Sequence, residues 1–320
     1  MNIFNWFAKD PKPFVLSPNP AYAVNTSHKG KIALVLGGGG SYGRFEIGVI
    51  KFMADCGLLG HVDMVIGTSV GGLNALFASR YWGAFDKVVD IWNTRVIKNT
   101  DIYSGEIPNS IGSAIARATG FMFGDKKSLV KPKGLYFLLD MFLKDSTFYD
   151  LPIPTYITAT DIKAKKRVVF SKEETPLVRC TIAGRSSSAI PLIFPHVDYK
   201  DMVLCDGGIA NNNPVEVAIE NGATKVILIG CTPNNMPLPN IKDMVDDGVN
   251  SLATALHLAE EDNWDIVEGG KIPFIGLWPE RLDKLGKSIL DFDNMEAMQY
   301  GNDIAYKYLK QDYCNEFLAK

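Results

Sequence analysis

The feature that most constrains the fold is a unit of strand, glycine-rich turn and helix that occurs twice in succession. The apolar run KIALVL (31–36) precedes GGGGSYG (37–43), and RFEIGVIKFMADCG (44–57) then places apolar residues at helical spacing. The apolar run HVDMVIG (61–67) likewise precedes a helical pattern, VGGLNALFASRYW (70–82). Because parallel strands need a crossover between them, this alternation predicts an α/β fold with a parallel sheet and crossover helices.

The rest of the chain continues this pattern, and no linker divides residues 31–320 into separate domains. Residues 1–30 hold several prolines and many polar residues, and they are expected to form an extended arm. Residues 83–150 show a weaker periodicity of apolar residues, which is typical of a variable or lid region inside the domain. Further strands are expected at TYITATD, KRVVFS, MVLCDGG, KVILIG and IPFIGLW, and further helices at GLYFLLDMFLK, before Pro191, around 243–265 and around 291–310.

Composition narrows the class of function. The formal net charge of the 320 residues is −3, which gives no indication of a nucleic-acid partner. The five cysteines are scattered without CxxC spacing, so we expect no zinc site, no disulfide framework and a reducing, cytoplasmic compartment. The first residues lack the pattern of a secretory signal, and the longest relevant uncharged run, 64–79, is too short and too polar to span a bilayer.

The second glycine turn, GTSVG, matches the pattern G-x-S-x-G between a strand and a helix. In that context the pattern indicates a nucleophilic serine, because a sharp turn raises the hydroxyl out of the backbone. Gly67 and Gly71 would prevent clashes in such a turn, and the helix N-terminus behind Ser69 would favour developing negative charge. The alternative interpretation is a tight turn with an incidental serine.

A serine nucleophile needs a base. The chain has four histidines, which are His28, His61, His196 and His257. None lies in a loop that suits a Ser-Asp-His triad, and only His196 is kept in reserve. Asp206 offers a different base, because it ends an apolar strand and precedes Gly207 and Gly208. A partly desolvated carboxylate can take the serine proton directly, although an Asp-Gly pair is also a common turn former.

Three motifs in this order, GGGGSYG, GTSVG and DGG (206–208), resemble those of the patatin-like phospholipase family. Further family-like stretches are ITATDIKAKKRVVFS, SSSAIPLIFPHV and GIANNNPVEVA, so the resemblance covers about residues 31–230. Each motif is weak alone, but their order and strand contexts together are specific. The resemblance implies a three-layer α/β sandwich with a mainly parallel central sheet and helices on both faces.

The resemblance also implies a lipid acyl hydrolase of the phospholipase A type that cleaves fatty acyl esters. In that family a Ser-Asp dyad replaces the triad, with Ser69 here as nucleophile and Asp206 as general base. The glycine loop would supply backbone N–H donors to the oxyanion of the tetrahedral intermediate. The matching residues are Gly38, Gly39 and Gly40, and Gly43 closes the motif. Such a dyad needs no cofactor and no metal, and its lipid substrate would be reached by peripheral contact with a membrane surface.

One departure concerns the glycine loop, where the family usually carries Arg or Lys two places after the glycine triplet. This chain has Tyr42 there, and the nearest cation is Arg44. Arg44 or Arg185 would then contact the substrate phosphate in place of the missing cation. The alternatives are an enzyme that prefers less anionic lipids and a weakened enzyme that acts as a binding module.

Two rival interpretations come from different chemistry. GGGGSYG satisfies G-x-G-x-x-G, the phosphate-cradling turn of dinucleotide-binding folds, although this match alone is weak. The acidic residue expected about twenty positions later is at best Asp63, which precedes the second strand instead of ending it. An ordinary esterase for small soluble esters is the other rival, and it differs by showing no rise in activity on lipid aggregates.

Two apolar stretches are candidates for membrane contact. One is NIFNWFA near the N-terminus, which includes a tryptophan suited to the bilayer interface. The stronger candidate is 111–123, with Phe121 and Phe123, because it lies where a lid would fit and a lysine-rich stretch follows it. Packing against the core is the alternative for both stretches.

Overall fold

The first two units fold as the alternation predicts. The computed structural model of the chain describes residues 23–24, 27–93, 132–191, 193–232, 272–286 and 291–320. The two units comprise β1 (Ile32–Leu36), α1 (Gly43–Asp55), β2 (Met64–Thr68) and α2 (Val70–Arg80). β1 and β2 pair in parallel, and Gly57, at a φ of 82°, follows α1 where the sequence predicts its end.

The remaining elements agree with most of the strands and helices expected from the sequence. They are α3 (Asp86–Asn93), α4 (Lys133–Leu143), β3 (Thr155–Asp161), β4 (Lys166–Phe170), α5 (Cys180–Ser187), β5 (Val197–Tyr199), β6 (Met202–Asp206), α6 (Val215–Glu220), β7 (Lys225–Ile229), β8 (Phe274–Leu277), α7 (Glu296–Tyr308) and α8 (Gln311–Ala319). The expected helix around 243–265, most of the N-terminal arm and the proposed lid segment 111–123 lie outside the described residues.

The described strands form one mixed sheet in the order β5-β6-β3-β2-β1-β7-β8, and β4 pairs with the other edge of β3. The pairs β2–β3, β1–β2, β1–β7 and β7–β8 are parallel. The pairs β3–β4, β3–β6 and β5–β6 are antiparallel. The sheet is therefore parallel through its centre and antiparallel at one side, which agrees with the predicted α/β fold with a mainly parallel sheet.

Helices cover both faces of this sheet, which gives three layers. Ile32, Leu34 and Leu36 of β1 belong to a buried cluster that includes apolar residues of α1, α2 and α7. Ala33 and Val35, which point to the opposite face, belong to a second cluster with residues of α6. This alternation follows from the two-residue period of a strand. Burial on both faces explains why β1 is apolar throughout.

The pairing registers place β2 and β6 on the same edge of β3. β2 pairs with residues 155–158 of β3, and β6 pairs with residues 159–161. β4 occupies the opposite edge, because it pairs with residues 157–161 and overlaps both other strands in register. β2 and β6 run in opposite directions, so their carboxyl ends meet beside Thr158 and Ala159. The sheet thereby brings together two chain segments that are distant in sequence.

The region 83–150 is described only at its two ends. α3 buries Val88, Val89, Ile91 and Trp92, and α4 buries Leu135, Leu138, Leu139 and Leu143. Both ends of the expected variable region are thus anchored in the main core. Among the described residues, no helix combines the length and the apolarity needed to cross a membrane.

Candidate active site

Ser69 and Asp206 are hydrogen-bonded to each other where β2 and β6 meet. The Ser69 hydroxyl donates to Oδ2 of Asp206 at 2.7 Å, across 137 positions of sequence. Ser69 is 5% exposed and Asp206 is 3% exposed, so the contact is almost closed to bulk water. The two residues that the motifs single out therefore form a direct pair, with no histidine between them.

The backbone at Ser69 forms the sharp turn that the motif predicts. Ser69 has φ 55° and ψ −125° and is the N-cap of α2, a conformation that costs a non-glycine residue of the order of 1–3 kcal/mol. Its amide N–H donates to the Ser187 hydroxyl at 2.8 Å. A Cβ on Gly71 would lie 2.6 Å from the carbonyl oxygen of Gly37, and one on Gly67 would lie 2.6 Å from the Gly71 carbonyl carbon. The strained turn is held because β1, β2 and α2 approach closely.

Asp206 is fixed through its backbone and through its second carboxylate oxygen. The amide of Gly208, in the 3-10 turn Gly207–Ile209, donates to Oδ1 of Asp206 at 2.8 Å. The Thr160 hydroxyl donates to the Asp206 carbonyl oxygen at 3.0 Å, and the Asp206 amide donates to the carbonyl oxygen of Ala189 at 3.0 Å. These contacts leave Oδ2 directed to Ser69.

Burial raises the pKa of Asp206 from 3.8 to about 7, because the charged form loses water. The hydrogen bonds from Gly208 and Ser69 lower this pKa in part. A carboxyl group with a pKa near neutrality can both take and return a proton at physiological pH. The environment of Asp206 is thus suited to a general base.

The glycine loop presses against Ser69. A Cβ on Gly38 would stand 3.1 Å from the Ser69 Cβ, and it would also overlap the side-chain amide of Asn212. The Asn212 amide nitrogen donates to the Gly38 carbonyl oxygen at 3.2 Å, which fixes the loop from the other side. Position 38 therefore has room only for glycine, and the loop backbone borders the candidate nucleophile.

The three glycines predicted to form the oxyanion hole have different hydrogen bonds. The Gly38 N–H donates to the Asn212 carbonyl oxygen at 3.1 Å, so in this structure it is occupied. The amides of Gly39 and Gly40 have no hydrogen-bond acceptor among the described residues. Gly40 has φ 57° and begins the 3-10 turn Gly40–Tyr42 ahead of Gly43, the first residue of α1. Gly39 and Gly40 are therefore the members of the triplet whose backbone N–H groups can still donate to an oxyanion.

A buried polar network lies behind the glycine loop. The Asn74 side-chain amide donates to Oε2 of Glu46 at 2.6 Å and to the carbonyl oxygen of Gly43 at 3.0 Å. Its oxygen accepts from Nε1 of Trp92 at 2.9 Å. Burial raises the pKa of Glu46 from 4.5 to about 8, and hydrogen bonds from Asn74, Cys231 and the Gly37 backbone lower it in part. This network connects the start of α1 to α2.

Tyr42 and Arg44 both lie in the core. Burial, and then the charge of Asp291, raises the pKa of Tyr42 to about 12. Arg44 is 1% exposed, donates to the carbonyl oxygen of Asn294 at 3.3 Å and to the sulfur of Met295, and stacks over Trp92. These contacts hold Arg44 inside the protein, so its guanidinium does not take the place of the cation missing at position 42.

Arg185 and His196 also have partners other than the Ser69–Asp206 pair. The Arg185 guanidinium binds both carboxylate oxygens of Asp140 at 2.7 Å and lies over the ring of Tyr136. His196 is 3.4 Å from the carboxylate of Asp198. Neither residue hydrogen-bonds Ser69 or Asp206 in the part of the chain that the structure describes.

Asp63 lies at the opposite end of the sheet from the glycine loop. Its Oδ2 accepts the backbone N–H of Ile32, the first residue of β1, at 2.8 Å. The glycine loop follows Leu36, the last residue of β1. In a dinucleotide site the acidic residue stands at the carboxyl end of the second strand, beside the loop. Asp63 is therefore on the wrong side to contact a ribose held by this loop.

The sequence matches a known family over a segment that contains the glycine loop, Ser69 and Asp206. The family model described as "Patatin-like phospholipase" matches residues 34–219, which is more than half of the chain. The chain belongs to the patatin-like phospholipase family. Membership of this family supports a lipid hydrolase, and it agrees with the resemblance carried by the three motifs.

Curated relatives of this patatin-like protein match 200 to 202 of its residues. Patatin-like phospholipase domain-containing protein 7 of Mus musculus is 32% identical over 62% of this chain and 13% of its own length. An uncharacterized NTE family protein of Mycobacterium tuberculosis is 30% identical over 62% of this chain and 48% of its own length. This chain thus spans a small part of the first relative and about half of the second.

Solved structures give a weaker likeness. The crystal structure of VipD from Legionella pneumophila has a TM-score of 0.45 at 15% identity, covering 89% of this chain and 67% of that chain. Human GIVD cytosolic phospholipase A2 has a TM-score of 0.47 at 9% identity, covering 90% of this chain and 63% of that chain. The family assignment therefore rests on the sequence match.

Several residues that shape this patatin-like site do not appear in the three motifs. Ser187 holds the Ser69 amide, Thr160 holds the Asp206 carbonyl group, and Asn212 clamps the glycine loop. Ser187 and Asn212 lie in SSSAIP and ANNNP, where small polar residues interrupt apolar sequence. A run of polar residues inside otherwise apolar sequence is the signal that could have identified Ser187 and Asn212, since both runs are buried in the fold.

Proposed function

We propose that this protein is a lipid acyl hydrolase of the phospholipase A type, which cleaves fatty acyl esters with Ser69 as nucleophile and Asp206 as general base. The observation that carries the proposal is the 2.7 Å hydrogen bond from the Ser69 hydroxyl to a buried carboxylate oxygen of Asp206. A serine hydroxyl is a weak nucleophile until an adjacent base accepts its proton. Asp206 is the group in hydrogen-bond contact with it.

The first half-reaction forms an acyl-enzyme. As Oγ of Ser69 attacks the ester carbonyl carbon, its proton moves to Oδ2 of Asp206, and the carbonyl oxygen becomes an oxyanion. When the tetrahedral intermediate collapses, the carbon–oxygen bond to the alcohol breaks, and Asp206 gives its proton to the leaving alkoxide. Water then attacks the acyl-serine, with Asp206 again accepting and returning a proton.

The glycine loop and α2 would stabilise the oxyanion. The amides of Gly39 and Gly40 have no acceptor among the described residues, and the loop borders Ser69. Ser69 is the N-cap of α2, so the partial positive charge of the helix N-terminus lies beside the reacting carbonyl. A single N–H donor in such a site is typically worth about 10²–10³ in rate.

The rival functions fit the site less well. A nucleotide-binding protein would need an acidic residue beside the glycine loop, and Asp63 lies at the other end of β1. A binding module without activity would have no need of a strained serine paired with a buried carboxylate. An esterase for small soluble esters uses the same residues, so only its response to lipid aggregates separates it from the proposed function.

The decisive experiment compares wild type with Ser69→Ala and Asp206→Asn on a lipid panel, scored by released fatty acid. We expect wild type to release fatty acid from a phospholipid. Each substitution should lower kcat by at least about 10⁴-fold, because one removes the attacking oxygen and the other removes the proton acceptor. Circular dichroism of each variant checks that folding is unchanged.

His196→Ala is the matched control, and it should keep most of the activity. A loss as large as that of Ser69→Ala would point to a triad with His196 as base. Retained hydrolysis by purified Ser69→Ala would remove Ser69 from the role of nucleophile.

A further inference from the structure

Two hairpin turns stand side by side at the end of the sheet that carries Ser69. The first joins β3 to β4 through residues 162–165, and the second joins β5 to β6 through Lys200 and Asp201. Ala159 of β3 pairs with Asp206, and β3 continues to Asp161 before the first turn begins. At a rise of about 3.3 Å per residue, the turns project roughly 10 Å beyond the candidate catalytic pair.

The two turns form one rigid unit. Oδ1 of Asp161 accepts the backbone N–H of Lys163 at 3.0 Å and that of Val203 at 3.3 Å, so a single carboxylate ties both hairpins. The Ile162 N–H also donates to the Val203 carbonyl oxygen at 3.0 Å, and Nζ of Lys163 reaches the Asp201 carbonyl oxygen at 3.4 Å. These hydrogen bonds therefore fix the backbones of the two turns relative to each other.

The exposed side chains of this unit are basic and partly apolar. Lys163, Lys165, Lys166 and Lys200 are all exposed, and Ile162 is 48% exposed among them. Asp198 and Asp201 are the exposed carboxylates of the same unit, and the Asp198 carboxylate lies 3.4 Å from His196. Four lysines against three aspartates, the exposed Asp198 and Asp201 and the buried Asp161, give the unit a net charge of +1, whereas the whole chain has a net charge of −3. Ile209, beside the candidate base, adds a second exposed isoleucine.

We propose that this lysine hairpin pair, defined by Lys163, Lys165, Lys166 and Lys200, docks the protein on an anionic lipid surface with the catalytic end of the sheet facing the bilayer. The proposal rests on the proposed function for its choice of partner, since the substrate would lie in that surface. Lysines supply the attraction to anionic head groups, and Ile162 supplies an apolar contact at the interface. Rigid hairpins would hold the site at a set height above the lipid.

The test measures binding without turnover, in the Ser69→Ala background of the full chain. The protein is sedimented with vesicles of phosphatidylcholine alone, and with vesicles that also contain phosphatidylserine. The test variant carries Lys163→Gln, Lys165→Gln, Lys166→Gln and Lys200→Gln. The matched control carries the same change at four exposed lysines of the opposite end, which are Lys29, Lys31, Lys144 and Lys172.

We expect the parent protein to prefer phosphatidylserine vesicles and the test variant to bind them at least about tenfold more weakly. Each lysine near an anionic bilayer strengthens binding about fivefold, the equivalent of roughly 1 kcal/mol. The control should lose much less, and added salt should abolish the difference between the two variants. Equal losses in both variants, or no preference for phosphatidylserine, would overturn the proposal.

Two further measurements distinguish lipid docking from a failure of the proposed function and from nucleic-acid binding. Hydrolysis of a soluble short-chain ester by the four-lysine variant with Ser69 intact should equal that of wild type. If neither protein hydrolyses any ester, the proposed function fails while the vesicle result stands.

Nucleic acid is the other polyanion that exposed lysines could bind, and binding of a labelled oligonucleotide tests it. Binding of the oligonucleotide but not of vesicles, lost in the test variant, would assign the lysines to nucleic acid and overturn the lipid proposal.

Discussion

At the residue scale, burial gives Asp206 the basicity that the proposed reaction needs. An exposed aspartate has a pKa near 3.9 and is too weak a base to take a serine proton at neutral pH. The pKa of about 7 at Asp206 comes from loss of water and is offset only in part by its two hydrogen bonds. The same burial that makes the carboxylate costly to ionise therefore makes it reactive once it has ionised.

This pKa predicts the acid side of the pH–rate profile. Asp206 must be ionised to accept the proton, so kcat/KM on a soluble short-chain ester should rise about tenfold per pH unit below about pH 7 and level off above it. Initial rates in constant-ionic-strength buffers measure this profile. A profile that stays flat from about pH 5 to 8 would mean that another group accepts the proton.

Residue identities at the site could be predicted because each motif required a special local geometry. Ser69 needed small neighbours in a strand-to-helix turn, and Asp206 ended an apolar strand before two glycines. The burial of Tyr42 and Arg44 could not be predicted in this way, because their partners Asp291 and Asn294 lie about 250 positions away in the sequence. No local pattern reports which distant segment will cover a given side chain.

At the element scale, α1 and α7 cross at unusually close range. A Cβ on Gly48 of α1 would fall far inside van der Waals contact with the Met298 carbonyl oxygen, and one on Gly301 of α7 would do the same with the Phe45 carbonyl oxygen. The two helix backbones therefore touch through two glycines. Because α1 begins at Gly43, this crossing also supports the glycine loop from behind.

Gly48→Ala should destabilise the protein by about 3 kcal/mol, because the new methyl group meets backbone atoms that cannot rotate away. Urea unfolding followed by circular dichroism gives the free energy of unfolding. Gly60→Ala is the matched control, since no atom lies within 4 Å of a Cβ there, and it should change stability by less than about 0.5 kcal/mol. Equal stability of the two variants would show that α7 shifts to admit a methyl group.

The alternation of apolar runs and glycine turns predicted β1, β2 and their helices, but not the direction of β6. β6 is antiparallel to β3, and the three-residue β5 that pairs with it was not expected from the sequence. β2 and β6 join the same edge of β3 in opposite directions, and contacts between distant segments make that choice of direction. The contact between Ser69 and Asp206 depended on this choice.

At the scale of the whole molecule, two carboxyl groups of the described residues are buried with raised pKa values, Asp206 at about 7 and Glu46 at about 8. In the unfolded chain both ionise near pH 4. Between about pH 4 and 8 the unfolded state therefore binds fewer protons than the folded state, and the stability that these groups contribute at low pH is lost as pH rises. Carboxylates with lowered pKa values, such as Asp161, change the stability only below about pH 4, so they do not affect the range from about pH 4 to 8.

The free energy of unfolding should thus fall as pH rises from about 5 to 8, by up to about 1.4 kcal/mol per pH unit for each group. Urea titrations at several pH values measure this slope. The double variant Glu46→Gln, Asp206→Asn should lose most of it, because neither amide titrates. A slope unchanged in the double variant would assign the pH dependence to other groups.

The meeting of β2 and β6 on one edge of β3 also affects the order of events during folding. α1 and α2 are built from contacts local in sequence, whereas Ser69 and Asp206 are 137 positions apart. Long-range pairings carry the entropy of closing a long loop and form slowly. During refolding, helical signal should therefore return before hydrolysis does. For the proposed hydrolase, the onset of activity would mark the moment when β6 has paired with β3.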